Sequence, residues 1–429
     1  MARRGFFSLV WVALLDLFDQ TTSFGRLAAV HVAMVAGDTL VTVSLAGSLF
    51  FSVSPTEAKS KVLAYLVLTF APFAIVSPLL GPLIDRSANG RRIIVAVSGL
   101  SRIVLCWLMS RHLNSWLLFP EAFAVLVASK LYVVTRGTLV PEMSRTNQMP
   151  APTQNQDAAG WPGTAANKAK GFAGFNAQLT LLGTGAGLIL GLIGAAVQKV
   201  FGAATVLDVA AFVFFLAGVA SFRLPRPRAK HDDTTESPWE SPTGERNEVE
   251  VAWGLTAMSF LRFATGFLGF LLVFGLRHHH ASLGWFGLAL AATGVGSLVG
   301  LAIVTRLHGA REDATLLAWA HIVVGLATAY LWWQPSIVGQ VALSAVVGLA
   351  GAIAQPSFDS ITQQHVPPGE QGRTFAKFAV RQQLLWVMGA IIPVAISMGF
   401  QVGDAIMAIF CLGTGLTYGL GRRFVRKRP

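Results

Sequence analysis

Twelve apolar stretches, each about as long as a helix needs to cross a bilayer, constrain this chain more than any other feature. A hydrocarbon core roughly 30 Å thick takes about 20 residues of α-helix, because lipid offers no partner for an unpaired backbone group. Runs of that size, bounded by proline, glycine or charge clusters, lie near 27–52, 61–84, 93–112, 115–139, 168–197 and 200–222. A second set lies near 251–276, 284–305, 314–333, 336–361, 374–399 and 402–421. Only 13% of the residues are charged and the mean hydropathy is +0.58, which excludes a soluble globular protein. The expected fold is therefore an all-α polytopic membrane protein of twelve transmembrane helices in two six-helix bundles.

The polar stretch between the sets, "RLPRPRAKHDDTTESPWESPTGERNEVE", is rich in proline and charge and reads as a linker. The expected organisation is a tail at 1–26 with an interfacial helix, bundles at 27–222 and 251–421, the linker at 223–250 and a basic tail at 422–429. Arginine and lysine crowd the even-numbered connections and both tails, so both termini are expected in the cytoplasm of a plasma (inner) membrane protein. That asymmetry, together with attraction to anionic lipid, accounts for the net charge of +12 without nucleic acid. Asp16 and Asp19 stand where a signal peptide would need a small-residue cleavage site. Cys106 and Cys411 fall inside spans, and three consecutive histidines, His278 to His280, do not share one helix face, so neither a disulfide nor a metal site is expected.

Residues 81–92, "GPLIDRSANGRR", form a charged turn between the second and third spans. Its glycines permit close approach, and Asp85 stands where it can engage a helix N-terminus or an arginine only while the two halves close. Arg136, near the inner end of the fourth span, and the start of the eleventh near Thr374 are placed to join it in a latch. Gly81, Leu83, Asp85, Arg86, Gly90, Arg91 and Arg92 resemble the signature loop of the major facilitator superfamily, with a spacer two residues longer. "LVPEMS" leading to "KGFAGFNAQLTLLG" and "HVPPGEQGR" leading to "TFAKFAVRQQLLWVMG" occupy matching places in the two halves, as a parallel repeat requires.

The fifth span carries Gly174, Gly183, Gly187 and Gly191 at a spacing similar to the superfamily's antiporter signature, with Leu188 where that signature has proline. Small residues at this spacing equally serve plain helix packing, so both readings stand. "VPPGEQGRTFAKF" loosely resembles the branch that includes macrolide and siderophore exporters.

Ionisable groups inside spans are functional candidates by default. Asp38, in a span that begins at 27, lies roughly 17 Å in at about 1.5 Å per residue; Arg262 lies equally deep in the seventh. If both face a central cavity, an acid and a base confront each other at substrate depth. Asp38 then serves either proton coupling or a structural ion pair, and Arg262 either the same pair or an anionic substrate. Glu121, Lys130, Arg102 and Asp208 are expected to be structural, and Asp359, Gln363 and Gln364 to sit at the membrane interface. The aromatics of the seventh span, Trp253 to Phe274, read as packing or lipid-facing surface, and the polar insertion at 146–166 as a flexible loop.

No phosphate-cradling loop, nucleophile elbow or zinc-ligand pattern occurs, so neither an enzyme nor a cofactor is expected. What the resemblance implies is a monomeric secondary transporter working by alternating access in the lipid bilayer. The leading expectation is proton-coupled efflux of amphipathic small molecules. Its rivals are uptake or lipid translocation with Arg262 holding an anionic group, and a non-transporting scaffold.

Overall fold

A computed structural model describes residues 22–45, 90–148, 172–224, 242–278, 283–307, 312–367, 370–396 and 398–427. Among them every regular element is helical, as a chain in lipid must be to satisfy its own N–H and C=O groups. The helices are α1 Ser23–Leu45, α2 Gly90–Arg111, α3 Leu118–Gln148, α4 Phe172–Phe201, α5 Ala203–Ser221, α6 Pro242–His278, α7 Leu283–Leu307, α8 Asp313–Trp333, α9 Ile337–His365, α10 Gln371–Ala395 and α11 Phe400–Lys427. All eleven are long and apolar enough to span a membrane. The span expected at 61–84 lies outside the described residues.

Boundaries follow local chemistry. Thr22 Oγ1 accepts the Gly25 N–H at 2.9 Å ahead of α1, and Ser336 caps α9 by accepting from Gly339 at 3.0 Å. Between α4 and α5 the chain turns at Gly202, whose φ of 86° is open to glycine and costly for other residues. Helix α6 starts at Pro242, nine residues ahead of the expected 251, and α11 runs on through the basic tail to Lys427.

Two apolar cores divide the chain. Phe24, Leu27, Met34, Tyr132, Phe175 and Phe214 belong to one, built by α1 to α5; Phe267, Leu271, Leu317, Val347, Phe358 and Cys411 belong to the other, built by α6 to α11. In the first half α1 packs on α3, α4 and α5, and α2 on α3 and α5. In the second, α6 packs on α9, α10 and α11, α7 on α9, and α8 on α9 and α11. Cys106 and Cys411 are free and buried, as expected. Trp116 and Trp333, each 76% exposed, mark the end of the bundle remote from the linker, where amphipathic rings suit the headgroup level.

The second half is held by backbone-to-backbone contact at glycines. A Cβ on Gly389 in α10 would lie 2.1 Å from the Phe263 carbonyl oxygen of α6, and one on Gly266 would lie 2.2 Å from that of Trp386. Gly296 and Gly348 do the same for α7 and α9, at 1.9 Å from Ala345 O and 2.2 Å from Thr293 O. Without a hydrophobic driving force between helices in lipid, such close approach supplies the packing energy. Gly389→Ala should therefore force α6 and α10 apart and lower stability by about 1–3 kcal/mol. Gly269→Ala, which meets nothing within 4 Å, should leave thermal unfolding in nanodiscs unchanged.

Candidate functional site

The halves meet at the end of the bundle where α5 finishes and α6 begins, the linker end. There Phe375 of α10 rests against Gly137 of α3, and Ile94, Val134 and Ala376 close round it. Ala177 and Leu181 of α4 pack on Leu301 and Val304 of α7. One glutamine ties three helices: Asn176 Nδ2 donates to Gln363 Oε1 at 2.9 Å, and Gln363 Nε2 donates to the Gly137 carbonyl at 2.8 Å. At 2% exposure, Gln363 makes these bonds away from competing water, so they form a neutral clasp across the halves.

Above this seal lies a cavity of about 640 Å³, walled by α1, α3, α4, α6, α9 and α10 and so shared by both halves. Its size suits a small organic ligand. Leu126, Val133, Phe358, Phe378 and Trp386 give it an apolar surface, while Lys130, Arg136, Arg262 and Asp359 are its charged side chains. In α9, Gln355 and Asp359 are one helical turn apart and act as a relay. Arg262 Nη2 donates to Gln355 Oε1 at 2.8 Å, and Gln355 Nε2 donates to Asp359 Oδ1 at 2.8 Å. On the opposite wall Arg136 Nη1 lies 3.2 Å from His31 Nε2, whose ring meets the Tyr132 hydroxyl through Nδ1 at 3.0 Å.

The two expected site residues part company here. Arg262 lines the cavity; Asp38 does not face it there. Arg102 Nη1 lies 3.2 Å from Asp38 Oδ1, and Ser129 Oγ donates to Asp38 Oδ2 at 2.7 Å. Arg102 is fully buried, with its guanidinium over the Phe214 ring at 5.0 Å and Nη1 against the Met34 sulfur at 3.4 Å. The expected confrontation between Asp38 and Arg262 is thus replaced by an ion pair inside the first half.

Other expectations shift as well. Asp359 and Gln363 do not sit at the membrane interface: 8% and 2% exposed, they belong to the cavity wall and the clasp, because α9 turns this face inward. Gln364 bonds Asp313 at 3.2 Å near the linker end. Lys130, expected to be structural, lines the cavity, whereas Glu121 pairs with His112 at 2.5 Å at the remote end. The α4 glycines sit at close helix contacts: a Cβ on Gly183 would come within 2.7 Å of His31 Nε2, on Gly187 within 3.1 Å of Thr39 Oγ1 and on Gly191 within 3.3 Å of Thr39 Cγ2, while Gly174 is buried in α4. Gly81, Leu83, Asp85 and Arg86 lie outside the described residues, as do the linker core at 225–241, residues 1–21 of the N-terminal tail and most of the 146–166 insertion. Gly90, Arg91 and Arg92 open α2, where Arg92 donates to the Phe222 carbonyl and ties α2 to the end of α5. Of the seventh span's aromatics, Trp253 and Phe260 edge a groove of about 280 Å³ against α11, and Phe267 is core.

His31, Tyr132, Gln355 and the acid Asp404 carried no signal in the chain. Asp404 is fully buried at the remote end and accepts from Gln340 Nε2 at 2.6 Å. A lone histidine or glutamine in an apolar run reads like any polar interruption, and only the packing shows which ones meet.

Two apolar-cored halves that share a partly charged cavity sealed at one end are the architecture expected of a membrane transporter. The chain belongs to the Major Facilitator Superfamily, whose family model matches residues 27–390; it is a transporter and not an enzyme. An uncharacterized protein of Mycobacterium leprae is 28% identical over 89% of this chain and 68% of its own length. An uncharacterized MFS-type transporter of Mycobacterium bovis is 26% identical over 88% of this chain and 84% of its own. Among solved structures, the transporter FucP in its outward conformation superposes with a TM-score of 0.65 at 15% identity, covering 95% of this chain and 98% of that one. The human organic anion transporter MFSD10 (TETRAN) gives 0.62 at 13%, covering 92% and 99%.

Two predictions test this geometry. Asp38→Asn should strand the buried Arg102 charge and lower stability by about 3 kcal/mol, and Asp38→Leu with Arg102→Met should restore most of it; thermal unfolding in nanodiscs measures both. Gln363→Leu should remove the clasp and shift the protein toward opening at the linker end. Spin labels near the start of α4 and the end of α9 should then report a longer distance in double electron–electron resonance, whereas Gln364→Leu should not change it.

Proposed function

We propose that this chain is a proton-coupled secondary transporter that moves amphipathic organic anions by alternating access. The observation that carries the reading is the charge of the cavity: Lys130, Arg136 and Arg262 against the single carboxylate of Asp359, set in an otherwise largely apolar wall. Cations held in a partly desolvated cavity repel a cationic substrate and attract an anionic one far more strongly than they would in water. The apolar surface of Phe358, Phe378 and Trp386 takes the rest of an amphipathic molecule. The human organic anion transporter MFSD10 and the fucose:proton symporter FucP share the fold, which lends support to an anionic substrate and to proton coupling.

Two six-helix bundles, joined by the linker that leads into α6, rock about the cavity while the Gln363 clasp opens and closes. The linker end faces the cytoplasm of a plasma membrane, following the arginine-rich connections, and one chain suffices. Efflux is the direction that the exporter-like resemblance favours. Uptake or lipid translocation with Arg262 on an anionic group is the second reading, and the same cation set supports it. Asp38 as the proton carrier has less support, since Arg102 and Ser129 already occupy its carboxylate.

Proteoliposomes carrying a pH gradient test the substrate class with two probes of opposite charge, naphthalene-2-sulfonate and benzyltrimethylammonium. Protein-dependent flux of the sulfonate alone is expected, and Arg262→Gln should lower it by about tenfold or more, the worth of one charge-assisted hydrogen bond. Flux of the ammonium alone would reject the organic-anion reading.

A further inference from the structure

We infer that His31 is the proton-binding residue of the cavity and that its protonation releases Arg136 to hold the substrate's anionic group, so that a proton and an anion bind together. This rests on the organic-anion reading of the cavity and on its uptake direction rather than efflux, because a proton and an anion that bind together cross together. A guanidinium has five N–H donors and no acceptor. With Arg136 Nη1 3.2 Å from His31 Nε2, the ring nitrogen is the acceptor and carries no proton. The ring's one hydrogen then sits on Nδ1 and is donated to Tyr132 Oη at 3.0 Å. His31 is therefore the neutral imidazole here, with its tautomer set by both neighbours.

A second proton on this ring would place an N–H against the guanidinium, with two positive charges at hydrogen-bond distance and no acceptor between them. One partner must leave, and the surroundings select which. His31 is 4% exposed, its ring is stacked beside Tyr132 with centroids 6.0 Å apart, and it fills the space beside Gly183 where no Cβ fits. Arg136 is half-buried along the cavity wall, and its Nε–H has no hydrogen-bond partner. The arginine swings, and an unmatched donor already waits for an acceptor.

The charges facing this pair come from every wall. Lys130 shares α3 with Arg136, Arg262 comes from α6 and Asp359 from α9. Asp38 lies two turns further along α1 but is engaged by Arg102. From α4 the neighbours are Gly183, Thr180 and Thr184, and from α5 Phe214 packs on Gly37. Arg136 lines the same cavity as the oppositely charged Asp359. Freed from His31, it therefore stays inside the cavity between Asp359 and an incoming anion, and the protonated imidazole adds a further positive charge to the same site. Proton and anion each raise the other's affinity, as linkage requires.

Calorimetry on the full-length protein in nanodiscs, with naphthalene-2-sulfonate as the probe, measures this directly. Titrations at pH 6, 7 and 8 in buffers of different ionisation enthalpy should show net proton uptake on binding. Affinity should rise as pH falls, toward about tenfold per pH unit, the limit for one fully linked proton. His31→Gln, whose amide can still accept from Arg136 and donate to Tyr132, should bind the sulfonate with affinity independent of pH and without proton uptake. His31→Asn serves if that variant does not fold, and the wild-type proton count needs no variant at all. Sulfonate binding by wild type without proton uptake, or proton uptake retained in the folded His31 variants, would overturn the assignment of His31 while leaving the organic-anion reading intact. If benzyltrimethylammonium binds and the sulfonate does not, the underlying reading falls and this inference with it.

Discussion

In lipid, no solvent repairs an unpaired polar group, and every feature of this molecule answers to that constraint. It makes all described elements helices, since a helix satisfies its own backbone. It also removes the usual reason for helices to associate, because tails of lipid are as apolar as leucine. Close approach has to replace it, which is why carbonyl oxygens of α6, α7, α9 and α10 lie where the Cβ of Gly266, Gly296, Gly348 and Gly389 would be. The same constraint explains the neutral clasp at the linker end. Amide-to-amide and amide-to-carbonyl bonds at Gln363 cost less to expose and re-form than a buried ion pair, and that suits the contact proposed to open and close at the linker end.

Charges within the bundle fall into two kinds. Arg102 is buried inside the first half, with Asp38, the Phe214 ring and Met34 arranged round it, and nothing in that arrangement crosses to the second half. Arg136, Arg262 and Asp359 lie on the cavity instead, and their partners are His31 and Gln355, neutral groups that can be exchanged for a ligand. A charge held by an opposite charge is committed; one held by a neutral acceptor is available. That difference, more than depth in the membrane, separates the two kinds of ion here.

Depth and spacing were what the chain itself disclosed. Individual spans were legible because lipid thickness sets a length and breakers punctuate it, and eleven of the twelve expected are helices among the described residues. Arg262 was legible as a charge that needs a reason. Its partner was not, because Asp38 and Arg262 lie at matching depths on matching helices, and only the rotation of α1 decides which way a carboxylate points. Asp359 and Gln363 were read as interfacial from their place near a helix end, yet α9 carries both inward, and linear position holds no information on which face of a helix meets its partner. His31 and Tyr132, a hundred residues apart, meet only through packing of α1 on α3.

The α4 glycines show how packing and function coincide. Their spacing left two readings open, an exporter-type signature or plain helix contact, and the contacts they make are those of helix packing. Yet the atom that a Cβ at Gly183 would strike is His31 Nε2, the acceptor for Arg136. A larger residue at 183 would displace the imidazole from the arginine before it disturbed anything else. The close approach of α4 to α1 is thus also what confines His31, and a confined ring is what makes Arg136 the partner that moves.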